Sequence, residues 1–433
     1  MKKLLFILGI ILFQNSITAQ AGLTSWKMNA GEFASYWQNT NGSPTNPSFV
    51  FYTSTALANI KKVCYNDTYV WTQSEGMTTE MGQFLNPGAP TAQGYTFRFP
   101  RTPTVPTIKT ISPKQGSIGL LTNGVPVYGL SNARYYNGTN NNGMGTGTWN
   151  VEVYLAEGFV LDATLGAHPQ QQGAYHSHAK PYRLYSDTPA TQHSPIIGWA
   201  FDGYPIYGPY GYSSTMDASS TVVRMKTGYS LRNISTRTTL PYGVALTVSQ
   251  YGPAVSSTYP LGTYIEDYNW LASNGGDLDK YNGRFCVTPE FPAGTYAYFV
   301  TVNESGTPQF PYYIGIEYYG APESDDLLPN PNITIPTTET TCFTTSLGVE
   351  DVVKNETIYS YPNPSKGVFN LVLPDLSGAS KIEIFTSIGS KLFEKATSQD
   401  QTEIDLSNVQ KNQLLILKVT NNGNHYITKL TLN

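Results

Sequence analysis

Turn-forming residues interrupt this chain at short intervals. Gly, Pro, Asn and Thr recur about every ten residues, and the segments between them are rich in Tyr, Val, Ile and Phe. No segment keeps an apolar period of 3.6 residues for more than about two helical turns. This spacing leaves room for short strands but not for long helices, so the sequence predicts an all-β protein.

Two dipeptides indicate tight hairpins. Asn123-Gly124 separates the apolar segments 118–122 and 125–128, and Asp202-Gly203 separates 196–201 from 204–207. Both central residues of a type I′ turn take positive φ, a conformation that Asn, Asp and Gly tolerate. We therefore predict a β-hairpin at each dipeptide.

The first twenty residues have the order of a secretory signal peptide. Lys2 and Lys3 precede an apolar run from Leu4 to Phe13, and a short polar stretch ends at Gln20. The apolar run is about half as long as a membrane-spanning helix, and no later segment is long and apolar enough to span a bilayer. We expect export, a mature chain that starts near Ala21, and no transmembrane segment after signal removal.

The charge of the chain argues against nucleic acid as a partner. It contains 26 Lys and Arg against 30 Asp and Glu, and charged residues make up only 13% of the sequence. Long runs of one sign are absent, so no basic patch is indicated.

Composition divides the mature chain into a body (residues 21–320), a linker (321–349) and a C-terminal domain (350–433). In the linker Pro, Thr, Asn and Asp dominate and apolar periodicity is lost, as in an extended segment. Three cysteines allow at most one disulfide, and sequence alone does not decide the pairing. We favour Cys64 with Cys286, because Cys342 falls in the linker, and expect Cys342→Ser to leave the melting temperature almost unchanged.

The C-terminal domain opens with Tyr361-Pro-Asn-Pro and ends on a Lys429-led strand. Between them, Ile382 and Ile384 alternate with polar residues, as on a half-buried strand. In this order of features the segment resembles the type IX secretion sorting domain. The resemblance implies a small Ig-like β-sandwich of about seven strands that is read by the type IX machinery and usually cleaved off, here after roughly Gly348. It also implies a secreted or outer-surface location, reached through the periplasm.

Four of the five histidines fall between residues 168 and 193. Within this segment, Tyr175-His176-Ser177-His178 resembles the motif of the YHYH family of exported bacterial proteins, with Ser177 in place of the second Tyr. Further matching segments lie at 123–128, 202–208 and 276–285. The resemblance implies which residues belong to a site, but it supplies no reaction.

The clustering of four histidines in one segment favours a metal or catalytic site. His176 and His178 are two residues apart, so on a strand both rings point to one face and can converge on one ion. Imidazole suits Zn, Cu and Fe, and nothing in the sequence selects among them. The candidate ligands are His168, His176, His178 and His193, with Asp162 and Asp202 as a carboxylate ligand or as hydrogen-bond acceptors for a ligating ring.

Each of these signals also has a plainer interpretation. The histidines could make ordinary hydrogen bonds on a wet face, and Asp202 could serve only its turn. Three functions therefore stay open: a metal-dependent enzyme, a binding module that holds a glycan or small molecule on the Tyr-rich tract 204–212, and a structural surface protein without a metal. Whether the protein is an enzyme is left undecided by the sequence.

Overall fold

The structure is a computed structural model. It describes residues 21–86, 88–185, 191–328, 332–344, 359–373, 379–386, 391–399, 401–411, 413–421 and 424–433. The signal peptide predicted over residues 1–20 lies outside these ranges. Strands hold 38% of the residues and helices 8%, and within the described ranges no helix reaches seven residues. The prediction of an all-β protein is confirmed.

The chain divides into two compact units, with the boundary between residues 346 and 347. In its described residues the first unit contains twenty-one strands: β1 Phe33–Asn39, β2 Phe49–Leu57, β3 Ile60–Tyr65, β4 Tyr69–Ser74, β5 Tyr95–Pro100, β6 Ser117–Leu121, β7 Pro126–Tyr128, β8 Ser131–Tyr135, β9 Gly143–Met144, β10 Asn150–Glu152, β11 Ala167–Pro169, β12 Tyr175–Ser177, β13 Ile196–Ala200, β14 Pro205–Tyr207, β15 Tyr210–Tyr212, β16 Val222–Arg224, β17 Tyr229–Leu231, β18 Tyr268–Trp270, β19 Gly283–Cys286, β20 Thr295–Phe299 and β21 Thr341–Phe343.

Short helical segments connect these strands. Residues 21–24 are helical, and the α-helix α1 spans Val153–Glu157. The 3₁₀ turns are Gln171–Gly173, Tyr182–Leu184, Pro241–Gly243, Val248–Gln250, Ile265–Asp267, Ala272–Asn274 and Ser324–Leu327.

An eight-stranded mixed sheet forms the centre of the first unit, in the order β11-β12-β7-β6-β13-β14-β20-β19. Both of its faces are covered. Along β20, for example, Tyr296 and Tyr298 join one hydrophobic cluster, whereas Ala297 and Phe299 join the other. Strands buried on both faces are apolar at consecutive positions, which explains the unbroken apolar run over residues 296–299 of β20. Both predicted hairpins are confirmed, since β6 pairs with β7 and β13 pairs with β14.

The segment predicted as an extended linker contains regular structure. β21 pairs with β3 and completes a four-stranded sheet in the order β21-β3-β4-β5. Cys342 lies directly opposite Cys64 in this pairing, and the two form a disulfide. The expected pairing of Cys64 with Cys286 is therefore wrong, and Cys286 is a buried free thiol. The sequence did not indicate this strand, because β21 is only three residues long and shows no apolar period.

The second unit contains seven strands in its described residues. They are β22 Tyr359–Tyr361, β23 Val368–Val372, β24 Ser380–Thr386, β25 Lys391–Thr397, β26 Gln401–Asp405, β27 Gln413–Asn421 and β28 Asn424–Leu432. They form a three-stranded sheet, β22-β23-β26, and a four-stranded sheet, β25-β24-β27-β28, around one core. Ile382 and Ile384 are fully buried in it, as their alternation predicted. No helix in the described part of either unit is long and apolar enough to cross a membrane.

Candidate metal centre

The pairing of two short strands at one end of the central sheet brings the first two histidines together. β11 is the last strand of the central sheet, and its His168 lies directly opposite His176 of β12. Directly opposed residues of an antiparallel pair project their side chains to the same face, with Cβ atoms about 5 Å apart. The two ring centroids are accordingly 4.9 Å apart.

His178 completes a cluster of three imidazoles. The Nε2 atoms of His176 and His178 are 2.8 Å apart, and the centroids of His168 and His178 are separated by 5.5 Å. One ligand atom from each of the three residues lies within 4.8 Å of the others. Ser177 projects to the opposite face, where it bonds with Tyr313. The alternation expected along this strand is therefore present.

Neighbouring groups fix the orientation of His176. Its Nδ1 lies 2.9 Å from the carbonyl oxygen of Ala174, so Nδ1 carries the proton and donates to this oxygen. Nε2 is then the nitrogen with a lone pair, the form in which a neutral imidazole binds a metal. The ring of Tyr128, on the adjacent strand β7, stacks on His176 with a centroid separation of 3.8 Å.

A carboxylate that the sequence did not indicate also faces this cluster. Oε2 of Glu157 lies 3.2 Å from Nε2 of His168 and 3.7 Å from Nε2 of His178. The Glu157 side chain is 26% exposed, whereas the three histidines are buried. Glu157 is thus the member of the cluster nearest to solvent.

A buried carboxylate holds the helix that carries Glu157. The side chain of Glu152 accepts hydrogen bonds from the backbone N–H groups of Tyr154 and Leu155, which caps the N-terminus of α1. Tyr312 donates a further hydrogen bond to it. Because α1 has only five residues, this cap and its buried partner fix where Glu157 projects.

Burial makes the imidazoles of His176 and His178 poor bases. It lowers the pKa of His176 well below the usual 6.5, and the charges of His178 and His168 lower it further. Burial also lowers the pKa of His178 to about 4, although the Glu157 carboxylate opposes this shift. At Glu157 the effect of burial is outweighed by the hydrogen bond with His168 and by the imidazole charges, so the pKa of Glu157 is lowered. At neutral pH the rings of His176 and His178 are thus neutral and the Glu157 carboxylate is ionised.

The structure places His193 outside this cluster. Its ring packs among aromatic side chains, 4.9 Å from the centroids of both Tyr207 and Tyr212, and its Nδ1 lies 2.8 Å from the Ser194 carbonyl oxygen. Of the two residues considered as a third ligand, His168 is therefore the one that joins His176 and His178.

The two aspartates considered as ligands are engaged elsewhere. Asp162 accepts hydrogen bonds from Tyr175 and from the Thr164 side chain and backbone. Asp202 accepts from Tyr298 and from the backbone of Gly320. Among the described contacts, neither carboxylate bonds to one of the three imidazoles.

The Tyr-rich tract does not form an exposed stacking face. Tyr207 is fully buried, Tyr210 is 5% exposed, and Tyr204 and Tyr212 are only partly exposed. The ring of Tyr207 stacks on Phe299. The geometry thus gives no support to a glycan site on this tract.

Comparison with protein families matches both units. Residues 96–311 match the family described as YHYH protein, and residues 359–433 match the family described as secretion system C-terminal sorting domain. No curated protein matches the chain. The first match covers every strand that carries a histidine of the cluster. The chain therefore contains a YHYH domain followed by a C-terminal type IX sorting domain, which directs it to secretion or to the outer cell surface.

Proposed function

We propose that this protein binds one transition-metal ion through His168, His176 and His178, with Glu157 as the carboxylate on the solvent side. The convergence of three imidazole nitrogens within 4.8 Å carries this proposal. Three histidines with an additional oxygen ligand are a common donor set for zinc and related ions.

The separation of the His176 and His178 nitrogens suits one ion with little rearrangement of these two rings. A tetrahedral ion bound at about 2.0–2.1 Å places two nitrogen ligands about 3.4 Å apart. The Nε2 atoms of His176 and His178 are 2.8 Å apart, so these rings need to separate by only about half an ångström. Nδ1 of His168 has no hydrogen-bond partner among the described residues. Nε2 of His168 lies 3.2 Å from Oε2 of Glu157, so rotation of this ring would change that contact.

The residues around the centre define what each would do. A bound ion of this class supplies a Lewis acid or lowers the pKa of a bound water. The three imidazoles would hold the ion, and the partly exposed Glu157 would hold or move a proton at Oε2. The donor set suits Zn, Cu and Fe alike.

Elemental analysis of the untagged protein tests the proposal. The expected result is about one ion per chain after dialysis, restored when the stripped protein is reloaded with Zn²⁺ or Cu²⁺. A structural surface protein without a metal would retain none. Water-proton relaxation of the Cu²⁺-loaded protein would then separate an open site, with exchangeable water, from a closed binding site.

Metal binding should resist mild acid. Protons displace a metal only when they bind the imidazole nitrogens, and burial holds the pKa of His178 at about 4 and that of His176 well below 6.5. We therefore expect His176 and His178 to keep the ion at pH values below 6 and to release it near pH 4. This is more acidic than the limit near pH 6 expected for ordinary histidines. Metal content after dialysis at each pH measures it, and half-loss at pH 6 would contradict a buried site.

Glu157→Gln should weaken binding without abolishing it. The amide keeps the size of the side chain but removes the negative charge beside His168 and His178. We expect roughly a 10- to 100-fold rise in Kd, the usual cost of losing such a partner. Competition with a chromophoric chelator measures this. Glu304→Gln, in an exposed loop, is the matched control, and equal affinity in the two variants would remove Glu157 from the centre.

A further inference from the structure

A two-stranded ribbon, formed by β1 and β2, leaves one of its edges open. The outer edge of β1 is covered, since Ser35 donates to the carbonyl of Thr78 and Trp37 forms a bridge with Gln83. In the described part of the chain, no strand pairs with the outer edge of β2. A nine-residue strand therefore presents unpaired backbone groups.

The register shows which groups point outward. Thr40 N–H donates to the carbonyl of Ser48, and the antiparallel pairing continues through Gln38 with Val50. Alternate residues of such a strand direct their N–H and C=O to opposite sides. Residues 48, 50 and 52 therefore face β1, and residues 49, 51 and 53 direct their backbone groups to the open edge.

The open strand lacks the usual protection against pairing. Natural edge strands carry Lys, Pro or inward-pointing charges that prevent another strand from adding on. Residues 33–60 contain no Asp, Glu, Lys, Arg or His, and β2 itself has no Pro. Three successive apolar side chains on β2 are exposed: Val50 41%, Phe51 51% and Tyr52 39%.

We propose that β2 pairs antiparallel with β2 of a second copy of this chain. Two copies of one strand that pair antiparallel are related by a twofold axis, so each contact is made twice, once from each copy. The apolar residues of β2 would meet their counterparts, and the uncharged ribbon brings no like charges together. The paired region is about 30 Å long. Contact along a single pair of strands buries less surface than most obligate interfaces do, so the dimer dissociates on dilution.

Sedimentation equilibrium of the purified two-unit protein tests this, from roughly 1 to 100 µM. The expected result is a monomer–dimer equilibrium. Thr53→Pro removes only an outward N–H, which proline tolerates at an edge, and should weaken dimerisation at least about tenfold. Thr53→Val keeps the N–H and should dimerise as the wild type does.

Phe51→Lys is a second, independent variant. It brings like charges together in the dimer and should make dimerisation weak at low salt and stronger at high salt. Val248→Lys, at another exposed apolar position, should leave dimerisation unchanged. Melting curves check that each variant is folded. A wild type that stays monomeric, as expected if the edge accepts a different protein or a glycan, would overturn the proposal, as would a folded Thr53→Pro variant that dimerises fully.

Discussion

We expect the double variant His176→Ala/His178→Ala to lose all bound metal. The two Nε2 atoms lie 2.8 Å apart, so one ion would be held by both rings at once. Removing both leaves one imidazole and one carboxylate, which is too few for tight binding of a transition-metal ion. Elemental analysis of untagged protein should fall from about one ion per chain to a level that cannot be distinguished from buffer.

Two variants with an intact centre serve as controls. His193→Ala removes a buried imidazole that packs on Tyr207 and Tyr212, outside the cluster. Ser177→Ala changes the same strand on its opposite face, where Ser177 bonds with Tyr313. Both should keep full metal content. Equal metal content in the double variant and in the two controls, or no metal in any of the three, would contradict the proposed site.

The sequence could predict one half of this centre. Two histidines two residues apart on a strand share a face whatever the rest of the fold does, so His176 and His178 followed from spacing alone. The third ligand depends on which strand lies alongside β12. His168 is directly opposite His176 because β11 and β12 pair in one particular register, and the spacing of the histidines does not show whether the segment with His168 or the segment with His193 lies alongside β12.

Glu157 had no comparable signal. Its position depends on a five-residue helix and on the buried cap formed by Glu152. A helix this short has no apolar period long enough to detect in a sequence. By contrast, the hairpins at Asn123-Gly124 and Asp202-Gly203 were predictable from these dipeptides. Only the glycine of each dipeptide takes positive φ, however, so neither turn is the type I′ turn from which the hairpin was predicted. Local turn structure could therefore be predicted from the sequence, whereas contacts between segments far apart in the sequence could not.

Among the contacts between segments far apart in the sequence, the disulfide of Cys64 and Cys342 has the largest expected effect on stability. We expect Cys342→Ser to lower the melting temperature of the first unit by roughly 5–15 °C, instead of leaving it unchanged. The bond joins residues 278 positions apart, and closing a long loop in the unfolded chain stabilises the fold by roughly 2–5 kcal/mol. At about 2–4 °C per kcal/mol for a large domain, differential scanning calorimetry resolves this shift easily.

A reductant separates loss of the bond from loss of the side chain. Cys342 lies on β21, which is three residues long and held on β3 by its ladder and by this bond, so the strand should detach when the bond is broken. Dithiothreitol should lower the melting temperature of the wild type to that of Cys342→Ser and should leave the variant unchanged. Cys286→Ala removes the free buried thiol and should keep the sensitivity to reductant. If the wild type melts at the same temperature with and without reductant, the disulfide does not stabilise the unit, and the pairing of β21 with β3 must persist without it.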